Sequence, residues 1–207
     1  MKRALLFAAA AATVLSLAAC KKPTAGNTAD AGNTMNPGQS APVNAAQDAM
    51  GAAVGGTSAA TLGSHDTGAF VDNAGQGNMY EIEAAKIAEQ KSKSADVKAF
   101  AKMMVADHTA LQAEMAPLIA KAGKTAPADL DQRRKGFLDN LKAADAKDFD
   151  KTYIDQQVAA HDETLTLMKG YADNGDDAGL KAAAAKTAPK VQAHLDKAKA
   201  IQAKLGG

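Results

Sequence analysis

The fold is indicated most clearly by Val97-Lys-Ala-Phe-Ala-Lys-Met-Met-Val-Ala-Asp-His-Thr-Ala-Leu-Gln-Ala-Glu-Met115. Its apolar residues recur at the spacing of one helix face, which continues one turn beyond it: Val97, Ala101, Met104, His108, Leu111, Met115 and Leu118. His108 lies in the middle of this face and is therefore predicted to be buried. Because a buried imidazole needs a partner, the sequence predicts that other polar groups meet His108 inside the fold.

The same helical pattern continues through the rest of the chain and predicts an all-α fold of about one domain, residues 67–205. Polar residues again interrupt the apolar faces: Glu81 in the first helix, His161 in the third and His194 toward one edge of the last. We expect four long helices and a short helix after Pro127, the long ones running from about Thr67 to Ser92, Ser94 to Ala122, Lys147 to Asn174 and Asp176 to Leu205. Pro117 is expected to kink the second long helix, and Pro189 to bend or split the last.

The rise of an α-helix, about 1.5 Å per residue, predicts that the four polar residues lie at one depth. Glu81 and His108 lie at similar distances from the first turn, and His161 and His194 lie at roughly similar distances from the last turn. The short helix is predicted to act as a crossover, so that the second and third long helices run in the same direction. Two antiparallel pairs joined by a crossover form a ferritin-like four-helix bundle.

Four segments resemble a bacterial family whose members are often labelled predicted outer-membrane proteins and contain a ferritin-like domain of unknown function. The resemblance extends over nearly all of residues 66–205 and implies the ferritin-like fold and an exported location, but no established activity. The segments are Phe70-Val-Asp-Asn-Ala-Gly-Gln-Gly-Asn-Met-Tyr-Glu-Ile-Glu83, Val97-Lys-Ala-Phe-Ala-Lys-Met-Met-Val-Ala-Asp-His-Thr109, Phe149-Asp-Lys-Thr-Tyr-Ile-Asp-Gln-Gln-Val-Ala-Ala-His161 and Pro189-Lys-Val-Gln-Ala-His-Leu195.

The four polar residues are candidate ligands of one transition-metal ion. A carboxylate and imidazoles from facing helices form metal sites in bundles, and neutral imidazole suits Zn, Cu, Fe or Ni. The candidates are Glu81, His108, His161 and His194. The Glu-x-x-His pairs of di-iron bundles are absent, because Val105 and Val158 stand three residues before His108 and His161. A di-iron cofactor is therefore not expected.

Two alternatives remain open on the sequence. In the first alternative, the four residues bind no metal and form a buried hydrogen-bond network that fixes helix register, with Glu81 as the acceptor. Asp107, Asp162 and Glu163 are expected to point away from it. In the second alternative, the chain is a helical interaction module in the envelope. The sequence shows no exposed apolar patch that would identify its protein partner.

Other classes of function find little support in the sequence. The formal net charge is +1, and no basic patch interleaved with aromatic residues is visible, so nucleic acid is not an expected partner. Neither a glycine-rich phosphate loop nor a Ser-His-Asp arrangement can be identified. The sequence leaves enzymatic activity undecided and favours a non-catalytic role, with no catalytic residue assigned.

The N-terminal region predicts export and lipid anchoring. Residues 1–19 begin with Lys2 and Arg3 and continue as a short apolar segment, which is typical of a signal peptide. This segment ends in Leu17-Ala-Ala-Cys20, which resembles the lipobox of bacterial lipoproteins, and Cys20 is the only cysteine. We expect Cys20 to be lipidated and to anchor the protein in the bacterial cell envelope. The expected location is the outer membrane, with the protein facing the periplasm. The alternative is an ordinary secretory signal with a chance cysteine.

Residues 20–66 are expected to be a disordered tether between the lipid and the bundle. They are rich in Ala, Gly, Asn, Thr, Ser and Pro and contain few large apolar residues. Such a segment buries too little apolar surface to offset the entropy lost on ordering. The residues near Met50 favour a transient helix, but Gly51, Gly55 and Gly56 argue against a stable one.

Overall fold

The computed structural model describes residues 41–206, which form helices and contain no β-strand. The all-α prediction is confirmed. Within this range no helix is both long enough and apolar enough to cross a membrane. The elements are α1 (Ala41–Ala60), a 3-10 helix (Leu62–Ser64), α2 (Thr67–Lys91), α3 (Ala95–Lys121), α4 (Gln132–Ala143), α5 (Phe149–Asn174) and α6 (Ala178–Leu205).

The helix ends agree with the local signals in the sequence. Ser94 caps α3 by accepting a hydrogen bond from the backbone N–H of Val97, as predicted, and Asp177 caps α6. These side-chain oxygens satisfy backbone donors that have no partner within the first turn. Both α3 and α6 continue as single helices through Pro117 and Pro189, so the predicted alternative of a split last helix is not observed.

The four long helices α2, α3, α5 and α6 form the bundle. α2 packs along α3 and α5 packs along α6, and the two pairs meet through α2–α5 and α3–α6 contacts. The short connections between α2 and α3 and between α5 and α6 are those of antiparallel neighbours. This arrangement directs one face of each long helix toward a common interior.

The buried apolar residues form two clusters, one toward each end of the bundle. On α3 the first cluster ends at Met104 and the second begins at Met115, while on α5 the corresponding residues are Ile154 and Leu165. His108 and His161 fall between these positions, and both are buried. Since neither apolar cluster includes the histidines, a polar layer separates the two halves of the core.

The structure differs from the predicted tether over residues 41–64, which form α1 and the 3-10 helix and pack against α5. Asp48 of α1 accepts hydrogen bonds from the side-chain amides of Asn140 and Gln156, at 2.8 and 2.6 Å. Burial raises the pKa of Asp48, and these two hydrogen bonds act in the opposite direction. The tether prediction is therefore wrong for this part, while residues 1–40, with the signal segment and Cys20, lie outside the described residues.

Two glycines expected to weaken α1 are instead the points where it approaches the bundle closely. A Cβ at Gly51 would lie 2.7 Å from the ring of Phe137, and a Cβ at Gly55 would collide with the carboxylate of Glu163. Glu163 is buried and paired with the guanidinium groups of Arg133 and Arg134, at 2.8 and 2.9 Å. Glycine at these positions provides the space in which α1 packs.

The opposite face of α1 exposes apolar side chains. Val43, Met50 and Val54 are 44%, 69% and 61% exposed, and within the described range the remaining exposed large hydrophobic residue is Leu205. The sequence did not indicate this exposed stripe because the helix itself was not predicted. Its position follows from the inward direction of Gly51, Gly55 and Asp48 on the same helix.

Candidate metal centre

Three of the four predicted site residues come together at mid-bundle. His108 lies on α3, His161 on α5 and His194 on α6, and one ring nitrogen of each lies within 4.8 Å of the others. The ring centroids are 6.0 Å apart for His108 and His161, 5.7 Å for His108 and His194, and 5.6 Å for His161 and His194. The three imidazoles therefore face one small volume.

Burial makes these three histidines poor bases. Their exposed fractions are 4%, 1% and 4% for His108, His161 and His194. Loss of hydration lowers the pKa of His161 to about 4. Burial also holds the pKa of His108 well below its usual value, and it lowers that of His194 although Asp107 acts in the opposite direction. At neutral pH all three imidazoles are consequently neutral, which is the form that binds a metal ion.

Each imidazole uses one ring nitrogen for a hydrogen bond to a group outside the three-histidine cluster. His108 Nδ1 lies 2.9 Å from Asn78 Oδ1, and His161 Nδ1 lies 2.7 Å from the carbonyl oxygen of Gln157. His194 Nε2 lies 2.9 Å from Asp107 Oδ2. Carbonyl and carboxylate oxygens only accept hydrogen bonds, so each of these ring nitrogens donates.

The second nitrogen of each ring is left with its lone pair. These atoms are His108 Nε2, His161 Nε2 and His194 Nδ1, and each is buried without a hydrogen-bond partner from the protein. A buried polar atom without a partner costs free energy, and three of them in one layer of the core are unusual in a folded protein. Three unshared lone pairs on the neutral nitrogens of neighbouring imidazoles are a donor set that suits a transition-metal ion.

Glu81, the fourth predicted residue, lies beside this layer on α2. Its Oε1 is 3.7 Å from His161 Nδ1, which is the nitrogen that donates to Gln157 and not the one without a partner. Neither of its oxygens has a hydrogen-bond partner within the described structure. Burial raises its pKa to about 8. Glu81 is therefore held as a neutral carboxylic acid at pH 7, and the predicted hydrogen bond from a histidine to Glu81 is not observed.

The carboxylate that accepts a hydrogen bond from a cluster histidine belongs to Asp107. We expected this residue to point away, because its side chain leaves α3 about 100° from that of His108. The sequence-based expectation was wrong because the facing helix supplies His194 on that same side. Asn78, three residues before Glu81, was also missed. Neither residue has a sequence signal of its own, since hydrogen-bond partners on different helices are set by helix rotation.

The remaining histidine and the nearby methionines do not join the cluster. His65 is exposed in the connection before α2. Met104, Met115 and Met168 are buried members of the two apolar clusters, as predicted for residues that fill the core.

The upper limit on the separation of the three ligand nitrogens, 4.8 Å, is larger than the spacing in a metal complex. Bonds of about 2.0–2.1 Å to zinc place the nitrogens of a tetrahedral site about 3.3 Å apart. Starting from separations of at most 4.8 Å, the rings need to approach by about 1.5 Å or less. Each imidazole would have to tilt toward the centre by a part of this distance while it keeps its outer hydrogen bond.

Most of the sequence matches the model of a protein family. Its model, described as "Domain of unknown function (DUF4142)", matches residues 52–201, which is more than half of the chain. The matched range contains all three clustered histidines, Glu81, Asn78 and Asp107. No curated protein and no solved structure matches the chain.

Proposed function

This chain belongs to the family described as a domain of unknown function (DUF4142), and we propose that its helical bundle binds one divalent transition-metal ion through His108, His161 and His194. The observation behind this proposal is the convergence of three buried imidazoles, each of which has one ring nitrogen without a protein partner. Neutral nitrogen donors favour Zn, Cu, Fe or Ni over Mg or Ca, which prefer oxygen.

The geometry supports metal binding better than a hydrogen-bond network. A buried network stabilises a fold when all of its members are satisfied. In the described part of the chain the histidines do not hydrogen-bond to one another, and Glu81 accepts no hydrogen bond from them. A metal ion would satisfy all three free lone pairs at once, whereas the network alternative leaves them without a partner from the protein.

Three histidines leave at least one coordination position for another ligand. Glu81 is the predicted fourth ligand, and its location beside His161 Nδ1 supports a different role. It would influence the metal through His161 rather than bind it. No reaction is assigned to the site, and a binding role without catalysis remains the proposal.

Thermal unfolding with and without metal tests this proposal. Protein purified without a histidine tag and stripped with a chelator should show a higher Tm when Zn²⁺, Ni²⁺ or Co²⁺ is added, because an ion that binds the folded state stabilises it. His108→Ala should abolish the increase. His65→Ala, which removes an exposed histidine outside the cluster, should preserve it. A wild-type Tm that no divalent ion changes, together with no bound metal by elemental analysis, would contradict the proposal.

We further propose that the bundle is exported and lipid-anchored, and that its long helices have the ferritin-like arrangement. Two antiparallel pairs with the α4 connection between them support the latter. The Leu17-Ala-Ala-Cys20 sequence after an apolar segment supports the former. The anchor would hold the protein at the outer membrane, facing the periplasm.

Cell fractionation tests the lipid anchor. The wild-type chain should sediment with membranes, and Cys20→Ala should move it to the soluble periplasmic fraction because the acyl chains would be lost. Ala19→Ser, a change next to the cysteine that keeps a small residue, serves as the control and should leave the distribution unchanged. Membrane association that persists in Cys20→Ala would argue against lipidation at this residue.

A further inference from the structure

We propose that Asn78 and Asp107 are positioning residues of this metal site, which hold His108 and His194 so that the ion is bound by Nε2 of His108, Nε2 of His161 and Nδ1 of His194. This inference rests on the proposed metal binding and specifies which nitrogens bind. It also assigns a role to two side chains that make no contact with the ion.

The hydrogen bonds decide which nitrogen of each ring is free. A neutral imidazole carries one proton, and only the nitrogen without it can bind a metal ion. The amide oxygen of Asn78 holds the proton of His108 on Nδ1, at 2.9 Å, and the carbonyl oxygen of Gln157 does the same for His161, at 2.7 Å. For His194 the proton is held on Nε2 instead, because Asp107 accepts a hydrogen bond from that nitrogen at 2.9 Å, and Nδ1 is left free. Histidines whose outer nitrogen donates to such an acceptor are typical of metal sites.

The same bonds fix the orientation of the rings. Asn78 lies on α2 and His108 on α3, while Asp107 lies on α3 and His194 on α6. Each bond therefore joins two helices and prevents the ring from turning out of the shared volume. The other oxygen of Asp107 lies 3.8 Å from Lys190 Nζ, so the carboxylate is held from two sides.

Asp107 also supplies charge. Three neutral imidazoles and a divalent ion leave two positive charges in the core, which is unfavourable without a nearby anion. The Asp107 side chain is 34% exposed, whereas that of His194 is 5% exposed. The carboxylate thus retains contact with water, yet it hydrogen-bonds directly to a ring of the cluster. It offsets part of the charge of the ion without being buried itself.

Substitutions of the two residues separate orientation from charge. Asn78→Ala and Asp107→Ala remove the acceptor, and we expect Zn²⁺ affinity, measured by competition with a chelator, to fall about 10–100-fold. Asp107→Asn keeps an acceptor oxygen and removes the charge, so a smaller loss is expected. Asp162→Ala is the matched control: this exposed aspartate adjoins His161, contacts Lys199 at 3.3 Å and does not touch the cluster. It should bind Zn²⁺ within about twofold of wild type.

Long-range ¹⁵N–¹H NMR of the metal-free protein provides a readout that a merely structural role would not change. The ring proton should be on Nδ1 in His108 and His161 and on Nε2 in His194. A proton on Nε2 of His108 or on Nδ1 of His194 would overturn the assignment.

The outcomes also distinguish this inference from the proposed function. If wild type binds Zn²⁺ and Asn78→Ala and Asp107→Ala bind it as well as Asp162→Ala does, the positioning role is wrong and the three-histidine site stands. If wild type binds no divalent ion, both are wrong. Circular dichroism of each metal-free variant separates a lost site from a lost fold, and Asp107→Asn retains a test if the alanine variant unfolds.

Discussion

At the scale of single residues, burial has opposite effects on the acid and the bases of the polar layer. It raises the pKa of Glu81 to about 8 and lowers that of His161 to about 4. Both groups are therefore neutral near pH 7, since the interior disfavours charge of either sign. The layer is uncharged without a metal ion, and each of its titratable members makes folding depend on pH.

The two pKa shifts act on stability in opposite directions. Below pH 6.5, the ordinary pKa of histidine, the unfolded chain gains a proton that folded His161 does not take up until about pH 4. This lowers stability as pH falls. Above pH 4.5, the unfolded chain loses a proton that folded Glu81 keeps until about pH 8, which lowers stability as pH rises. Between pH 6.5 and 8 the Glu81 effect is no longer opposed by that of His161.

We therefore predict that the unfolding free energy of the metal-free protein decreases between pH 6.5 and 8, and that Glu81→Gln largely removes this decrease. At about 1.4 kcal/mol per pH unit the wild type should lose about 2 kcal/mol over this interval. Urea unfolding at several pH values in the presence of a chelator measures it. Glu83→Gln, a change at an exposed position two residues away, should keep the wild-type profile. The same slope in Glu81→Gln as in wild type would contradict the buried, protonated state of Glu81.

At the scale of an element, α1 shows how tertiary contact reverses the meaning of a residue. Glycine normally destabilises a helix interior because its backbone, which has no Cβ, loses more conformational entropy than that of other residues when the helix forms. In α1, Gly51 and Gly55 face the bundle, and their missing side chains provide the space that Phe137 and Glu163 occupy. Gly56, the next residue, has no atom within 4 Å of a Cβ built on it. The two neighbouring glycines therefore differ in role although the sequence does not distinguish them.

Alanine substitutions at these two positions should have opposite effects. We expect Gly56→Ala to stabilise the protein by about 0.5–1 kcal/mol, since alanine is the better helix former and meets nothing. Gly55→Ala should destabilise it by about 1–3 kcal/mol, because the added methyl group collides with the carboxylate that pairs with Arg133 and Arg134. Chemical denaturation of both variants provides the comparison. Equal stabilisation by the two changes would show that α1 does not pack on the bundle through Gly55.

At the scale of the whole molecule, α1 joins three other helices through polar contacts. Asp48 binds the amides of Asn140 on α4 and Gln156 on α5, and Gln156 in turn accepts a hydrogen bond from Tyr80 of α2 at 2.9 Å. Removal of α1 would take Asp48 from both buried amides. Gln156 would keep the carbonyl oxygen of Phe137 as an acceptor at 3.0 Å, whereas both acceptors of the Asn140 amide lie in α1. Because unpaired buried groups cost free energy, α1 is a part of the folded domain and contributes to its stability.

Two truncations test this contribution. A chain that begins at residue 66 should unfold several degrees below one that begins at residue 41, since it lacks α1 and its contacts with α5. The chain that begins at residue 41 should unfold at the same temperature as the mature protein, as expected if residues 21–40 act as a tether. Differential scanning calorimetry of the three proteins measures this difference. Equal unfolding temperatures for all three proteins would show that α1 does not stabilise the bundle and acts as part of the tether predicted from composition.

The sequence by itself determined the helical fold, the boundaries of the long helices and the common depth of the polar residues. These properties depend on local chemistry: the 3.6-residue period of apolar residues, the caps Ser94 and Asp177, and a constant rise per residue. His108, His161 and His194 meet where that rise places them. The position of a residue along a helix axis follows from the number of residues that separate it from the helix end, and this number can be read from the sequence.

Only the tertiary structure decided what surrounds each histidine. A count along the axis does not give the rotation of a helix about that axis or the rotamers of its side chains. Those variables place Asp107 rather than Glu81 in hydrogen-bond contact with a cluster histidine, at 2.9 Å against 3.7 Å. The packing of α1 depended likewise on the space beside Gly55, which Glu163 on another helix fills. Such contacts join residues far apart in the chain, and their free energy exists only when the helices are packed.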